Sequence, residues 1–218
     1  KKWVNVMALA DNKSFMKIEA RLEGNQVKGH RSTILYGQEA VEYQANEKHK
    51  QDSIVSNPES NGSLKNKLTV TNLKVKKQEN DRALIEEEFD FVLQTDRTDD
   101  HLYINPMLFP HLKSNPFIQT ERVLPIEFPY PYKFTMLTTL TLPEGYEVEE
   151  TPQPQVIRTQ GDGLQCKYMI QRQGNTISLN YIFYLKEPIF LTEQYKQLQE
   201  LWTKVIEKNN EILVLKKI

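Results

Sequence analysis

Cysteine and histidine are the side chains of this sequence that could supply a nucleophile and a base. The single cysteine, Cys166, lies in the run LQCKYMI, in phase with Tyr168 and Ile170 of a predicted strand. Nucleophilic catalysis needs a thiol or hydroxyl with a base beside it. No Gly-x-Ser-x-Gly elbow and no cysteine at the start of a predicted helix occurs. The alternation predicts instead that Cys166 is a buried core thiol.

Metal and phosphate chemistry lack the residue spacings that they need. No histidine stands three to five residues from another histidine or from the cysteine, as zinc ligands usually do. The eight glycines form no phosphate-binding loop. The turn TDRTDDH at 95–101 lacks the glycine and the final glutamate of an EF-hand loop, so a solvated loop is predicted there. We therefore expect no catalytic residue, no metal and no cofactor. The four histidines are His30, His49, His101 and His111.

Two constellations nevertheless offer functional alternatives. An enzymatic function would require His111, Arg122 and nearby carboxylates to meet in one pocket, whereas a packed, hydrogen-bonded imidazole is the prediction for His111. Tyr130, Tyr132 and Tyr146 could make a platform on which a sugar stacks. Aromatic side chains also dominate protein cores, and packing is the interpretation we prefer for these three.

Composition bounds the class of protein. The chain has 218 residues, 39% of them hydrophobic and 26% charged, and a net charge of −1. This length suffices for one domain or two closely packed ones. Because the net charge is close to zero, the protein as a whole has no electrostatic attraction to nucleic acid or to an anionic membrane. No apolar run reaches the roughly 18 residues that a membrane span needs, and residues 1–6 lack the apolar core of a signal peptide, as expected of a fragment or mature chain.

The stretch from Tyr103 to Tyr132 should organise the fold. It holds six of the eleven prolines, and proline lacks a backbone donor and fixes φ, which excludes a regular helix or central strand. Many apolar residues accompany them, so we predict an ordered belt that lies across packed sheets and joins two β-rich halves. The residues expected to be buried are Ile104, Met107, Leu108, Phe109, Leu112, Phe117, Ile118, Val123, Leu124, Ile126, Phe128, Tyr130 and Tyr132.

The residues before this belt alternate as strands do, apart from one helix. Gly29 is taken as the mark of a bulge in the second strand. Lysines on the third strand and acids on the fourth are expected to face each other across the ladder. A nucleic-acid surface is disfavoured because no aromatic residues alternate with those lysines. The predicted elements are strands at 15–22, 27–36, 68–77 and 83–95, a short helix at 37–50 and a polar loop at 51–67.

The residues after the belt predict more strands and a longer helix. Gly174-Asn175 between two alternating runs is a strong hairpin signal. Thr192 should cap the helix through its side chain, and one apolar stripe from Tyr195 to Ile206 must lie on a sheet or on the belt. The predicted elements are strands at 134–142, 155–159, 164–171, 176–185 and 212–215 and a helix from Thr192.

The belt and its surroundings resemble a known family. The segments YINPMLFPHLKSNPF, ERVLPIEFPYPY and TLPEGYEVEETP, with the closing EQYKQLQELWTKVIEKNNEILVLKK, are similar to the C-terminal β-domain of bacterial transglutaminase-like proteins. The resemblance covers 100–218. The matching belt residues, which the resemblance makes structural, are Asn105, Pro106, Asn115, Pro116, Phe117, Arg122, Pro125 and Phe128.

The resemblance implies a function without catalysis in this chain. Such proteins carry a papain-like, transglutaminase-type core, and its Cys, His and Asp have no counterparts here. The implied function is a non-catalytic accessory or structural β-module, with the papain-like core of the same parent chain as partner. Because the family is generally exported, a periplasmic or cell-surface location is also implied.

A second hypothesis is a free-standing module that binds a cell-envelope glycan or peptide through Tyr130, Tyr132 and Trp3 or through exposed edge strands. For the fold we expect a mainly β, sandwich-like and antiparallel protein with one short N-terminal and one long C-terminal helix. The expected units are an N-terminal β unit with the short helix at 1–100, the belt at 101–133, and a sandwich-like unit with its covering helix at 134–218.

Overall fold

The structure of the protein is a computed structural model that describes residues 12–50, 68–78, 84–98 and 100–218, with the main chain alone for 46–50. The predicted loop at 51–67 and Trp3 lie outside the described residues. The helices are α1 (Gln38–Lys50) and α2 (Tyr195–Asn209). The strands are β1 (Lys13–Glu23), β2 (Gln26–Tyr36), β3 (Leu68–Gln78), β4 (Leu84–Gln94), β5 (Asp96–Arg97), β6 (His101–Ile104), β7 (Ile126–Glu127), β8 (Tyr132–Thr141), β9 (Tyr146–Glu150), β10 (Gln155–Arg158), β11 (Leu164–Gln173), β12 (Thr176–Leu185), β13 (Ile189–Phe190) and β14 (Leu213–Lys217).

One large sheet runs through the molecule in the strand order β10-β11-β12-β8-β1-β2-β4-β3. Its neighbours pair antiparallel except for β1 and β8, which are parallel and join the strands before the belt to those after it. A smaller sheet has the order β5-β6-β14-β9, and β7 pairs with β13. The predicted fold class, mainly β and antiparallel with a short and a long helix, is confirmed. The predicted boundaries at residues 100 and 133 stay a prediction.

Alternate side chains along the strands are buried, and these buried residues form the core. In β1 the buried side chains are those predicted, Met16, Ile18, Ala20 and Leu22. The prediction of a bulge at Gly29 is wrong, because β1 and β2 pair without a register shift. A Cβ at Gly29 would lie 2.5 Å from the carbonyl oxygen of Glu19 and 2.8 Å from Phe91, so the glycine permits a close approach of strands.

The basic and acidic strands pair as predicted. Lys74 lies opposite Glu88 and Lys76 lies opposite Glu86 in the β3–β4 ladder. The Nζ atom of Lys74 is 3.0 Å from the Glu88 carboxylate. The ladder is irregular between Thr71 and Lys74. These lysines therefore lie opposite acidic residues of the neighbouring strand, and such opposite-charge pairs stabilise a sheet.

The belt crosses the sheet over residues 105–117. Phe109 contacts Phe91 of β4 edge-on with ring centroids 5.0 Å apart, and Phe117 contacts Trp202 of α2 at 5.2 Å. The residues at 107–109 are buried, as expected. The expectation of burial is wrong for Ile118, Val123 and Leu124, which are 85%, 93% and 68% exposed. The belt is thus a buried strap followed by an exposed apolar loop.

The long helix covers one face of the core with the predicted stripe, although its start differs from the prediction. Residues Thr192–Gln194 form a single 3₁₀ turn, and α2 begins at Tyr195. No side-chain cap by Thr192 is formed; the Gln194 side chain accepts a hydrogen bond from the Leu191 amide at 2.7 Å. In the described part of the chain, neither helix has the length and apolar character needed to cross a bilayer. The buried stripe residues are Tyr195, Leu198, Leu201, Trp202 and Val205.

Candidate functional site

Two Asn-Pro steps attach the belt to α2 in the same way. The side-chain amide of Asn105 donates to the carbonyl oxygen of Asn209 at 2.7 Å, and its Oδ1 accepts from the Met107 amide at 2.9 Å. Asn115 donates to the carbonyl oxygen of Gln199 at 3.0 Å and accepts from the Phe117 amide at 2.9 Å. Each asparagine satisfies a local turn and a helix carbonyl together, which explains why the belt is ordered without regular structure.

The helix also holds the belt from its own side. Gln199 donates through Nε2 to the carbonyl oxygens of Phe117 and Gln119, the latter at 3.1 Å. The hydroxyl of Tyr195 donates to the same Gln119 carbonyl at 2.8 Å. The Asn115 amide is also 2.8 Å from the hydroxyl of Thr203. The segment 115–119 is therefore held to α2 at two backbone carbonyls, those of Phe117 and Gln119, and through the side chain of Asn115.

The remaining belt residues suggested by the resemblance separate into packed and exposed ones. Pro106 is buried, and Phe128 stacks on Trp202 at 5.8 Å and 14°. Pro116, Pro125 and Arg122 are exposed. The structural role expected for the belt residues stays a prediction. The exposed ones lie around the loop that the sequence did not distinguish from the buried strap.

The exposed loop adjoins an open groove. The residues from Ile118 to Pro125 are here named the apolar loop. They follow the belt segment that is bonded to α2 and lead into β7, which pairs with β13. The guanidinium carbon of Arg122 lies 6.0 Å from the ring centroid of Tyr195. A groove of about 480 Å³, here named the α2 groove, is lined by Ile118 on one side and by residues of α2 that include Glu200, Lys204 and Glu207.

Cys166 is where the sequence places it, in the core. The residue is fully buried on β11, beside Phe183 of β12. Burial raises the pKa of the thiol to about 12, and the neighbouring Tyr181 and Lys208 offset only part of that rise. Because the thiolate is the nucleophilic form, a thiol that keeps its proton at neutral pH is inert.

His111 is packed as predicted, but the predicted hydrogen bond is missing at its buried nitrogen. The ring stacks on Phe134 with centroids 4.0 Å apart, and Nε2 has no hydrogen-bond partner among the described residues. Burial lowers the pKa of the imidazole to about 3. Cys166, Phe183 and Phe134 lie side by side on three neighbouring strands. The strand that carries Cys166 is therefore about 10 Å from the strand that carries Phe134, the ring on which His111 stacks.

The other sequence alternatives do not assemble into a site. The Tyr130 hydroxyl donates to Glu39 at 3.1 Å, and Tyr132 packs on Phe183, so neither ring forms part of an open platform. Burial raises the pKa of both phenols. In the acidic turn, where Asp99 lies outside the described residues, His101 pairs with Glu149 at 2.9 Å. No group of acidic, histidine or cysteine ligands suited to a metal occurs among the described residues.

One buried polar cluster was not predicted from the sequence. Glu87 of β4 is 2.7 Å from the Arg31 guanidinium and accepts a hydrogen bond from the Tyr43 hydroxyl at 2.6 Å. The guanidinium lies over the rings of Phe89 and Phe109, at 4.6 and 4.9 Å from their centroids. Burial lowers the pKa of Arg31, and Glu87 opposes that shift. The inward phase of Glu87, between Ile85 and Phe89 on an alternating strand, was the available signal.

Comparisons with known proteins relate the chain to one family and to a solved structure. No curated protein sequence matches the chain. A solved structure from Parabacteroides distasonis ATCC 8503, described as "a putative protease", is similar at 19% identity and a TM-score of 0.45 over 55% of this chain and 24% of that one. The matched part of this chain spans about a quarter of the length of that protein. A family described as a Domain of Unknown Function with solved structure (DUF3858) matches residues 100–215, and the chain belongs to this family.

Proposed function

We propose that this chain is a non-catalytic accessory module of an exported, transglutaminase-like protein, and that it packs on or positions a papain-like core of the same parent chain. The observation that carries the proposal is the state of Cys166, the one thiol of the sequence. It is fully buried with its pKa raised to about 12. A group in that state cannot attack an amide carbonyl at neutral pH.

The state of His111 supports the same conclusion. A general base needs a pKa near the working pH and reach to the proton it takes. The pKa of His111 is lowered to about 3, and its ring is stacked in the core against Phe134. Arg122, the other member of the enzymatic alternative, is exposed beside Tyr195 instead.

The belt gives the module its structural character. Its two Asn-Pro steps and its aromatic contacts use the residues of the family resemblance for hydrogen bonding and packing. The match of residues 100–215 to the family covers the same stretch. The periplasmic or cell-surface location belongs to the proposal and follows from the resemblance.

The proposal is tested by assaying the chain for amide hydrolysis and acyl transfer with glutamine-containing peptides, beside its Cys166→Ser variant. We expect both proteins to give the rate of buffer alone. Turnover by the unsubstituted chain that disappears in the Cys166→Ser variant would overturn the proposal, because it would make the buried thiol a nucleophile.

A further inference from the structure

The belt and both helices contact the same face of the large sheet. The belt packs there through Phe109, which contacts Phe91. The helix α2 packs there through Trp202, which contacts Phe183 at 5.5 Å, and α1 bonds to the inward-facing Glu87. Side chains of the opposite phase are half-buried or exposed along β8, β11 and β12. In the part of the chain described, the second face of these strands is therefore open, and an open antiparallel face is normally polar.

The two halves of this open face differ in charge. On the half formed by β1, β2, β4 and β3, acidic and basic side chains pair: Lys17 is 2.9 Å from Glu19, and Lys74 is 3.0 Å from Glu88. The strands β8, β10, β11 and β12 contain no aspartate or glutamate. Their outward-facing residues, which include lysines at 133 and 167, are here named the acid-free face. The strands of this half therefore carry positive charge without acidic residues to balance it.

Apolar side chains form the centre of the acid-free face. Val156, Met169 and Leu137 are 51%, 48% and 37% exposed. Ile182 of β12 lies between the strands of the last two, with Met169 of β11 and Leu137 of β8 as its diagonal neighbours. Tyr184, 38% exposed, follows Ile182 on the same side of β12. Scattered exposed apolar residues are ordinary, whereas a contiguous group of them marks an interaction surface.

The composition and the size of the acid-free face indicate a protein partner. An apolar centre with methionine and tyrosine and without acidic residues is typical of the core of a protein interface, and lysines beside it are complementary to an acidic partner. A polyanion would instead be held by basic residues interleaved with aromatic ones. Three ten-residue strands and the short β10 present about 500 Å². A complex would therefore bury about 1,000 Å² on both partners together, near the lower end of specific interfaces.

We propose that the acid-free face is the surface on which the papain-like core docks, and that the core meets it with an apolar patch bordered by acidic side chains. This inference rests on the proposed function and assigns a surface to it. Acidic side chains of the core would lie opposite Lys133 and Lys167, and apolar ones opposite Met169 and Leu137. The lysines speed and orient association, while burial of the apolar centre supplies most of the affinity.

Calorimetric titration of the chain into the separately purified papain-like core tests this surface. Met169→Glu should weaken binding at least about tenfold. The double variant Lys133→Glu, Lys167→Glu should also weaken binding and should change its dependence on salt. Lys74→Glu is the matched control for charge, because Lys74 lies on the same face of the sheet but on β3, at the opposite edge. Ile189→Glu is the control for an apolar residue, since Ile189 is 56% exposed on β13.

The outcomes separate this inference from the proposed function. We expect both controls to bind the core as the wild type does, and thermal unfolding checks that each variant folds. Leu137→Glu, on the other side of the apolar centre, is a second variant of the acid-free face. Wild-type binding that the variants of the acid-free face leave unchanged overturns this inference and leaves the accessory function standing. A wild-type chain that does not bind the core at about 100 µM overturns both.

Discussion

Asn115 and Gln199 each bind the main chain of the other's segment. The amide of Asn115 donates to the Gln199 carbonyl at 3.0 Å, and the amide of Gln199 donates to the carbonyls of Phe117 and Gln119. The exchange joins a proline-rich segment, which cannot form ladder bonds, to a helix. It therefore replaces the backbone pairing that a strand would have provided.

Asn115→Ala should destabilise the protein by about 1–3 kcal/mol, since it removes donors from a helix carbonyl and an acceptor from the Phe117 amide. Urea unfolding measures the change. Asn180→Ala is the control, because Asn180 is exposed on β12, and its effect should stay within about 0.5 kcal/mol. Equal effects at 115 and 180 would mean that the exchange contributes nothing.

Burial of His111 should make stability fall in mild acid. Its pKa is lowered to about 3 in the folded state, against about 6.5 in an unfolded chain. Above pH 6.5 both states are neutral; between pH 6.5 and 3 only the unfolded state binds the proton, so unfolding is favoured as pH falls. From pH 7.5 to pH 5, wild type should lose about 2 kcal/mol more than His111→Phe. All other groups are shared, and parallel pH profiles of the two proteins would refute the effect.

Glu87→Gln should be among the most damaging single changes in the described sheet. It leaves the Arg31 guanidinium without its buried counter-charge, which costs about 3–5 kcal/mol. The double variant Arg31→Met, Glu87→Leu should recover much of that loss because no charge remains buried. Thermal unfolding of the two variants and wild type measures the difference. A double variant less stable than Glu87→Gln alone would show that packing rather than charge dominates.

Cys166 should resist labelling until the protein unfolds. The buried thiol keeps its proton at pH 8 because its pKa is raised to about 12, so a disulfide reagent should react only in denaturant, with one thiol per chain. The native rate should be limited by opening of the β11–β12 region. Rapid, complete labelling without denaturant would place the thiol at the surface.

Strands were the most predictable part of the fold. Alternation identified β1, β4, β8 and the β11–β12 hairpin because one face of each meets the core. The parallel pairing of β1 with β8 was not predictable, since it joins segments over a hundred residues apart and leaves no local pattern. The start of α2 also escaped prediction, as Gln194 rather than Thr192 binds the free backbone amide.

The belt shows that residue composition alone does not predict which apolar residues are buried. Its apolar residues predicted burial throughout, and this was right for Met107 and wrong for Val123. Both residues are apolar and close to proline, so residue type does not separate them. What separates them is position, because the buried residues 107–109 and 117 follow the two asparagines that bond to α2, and the exposed run begins at Ile118. The buried pair of Arg31 and Glu87, by contrast, did have a signal in the sequence, because Glu87 is in phase with the inward-facing residues of its strand.

Complex formation tests the proposed function most directly. The chain would be titrated into the separately purified papain-like core of its parent protein by calorimetry at several temperatures. We expect saturable one-to-one binding with a negative heat-capacity change, corresponding to at least about 1,000 Å² of buried surface. Absence of binding at concentrations of about 100 µM would contradict an accessory module that packs on that core.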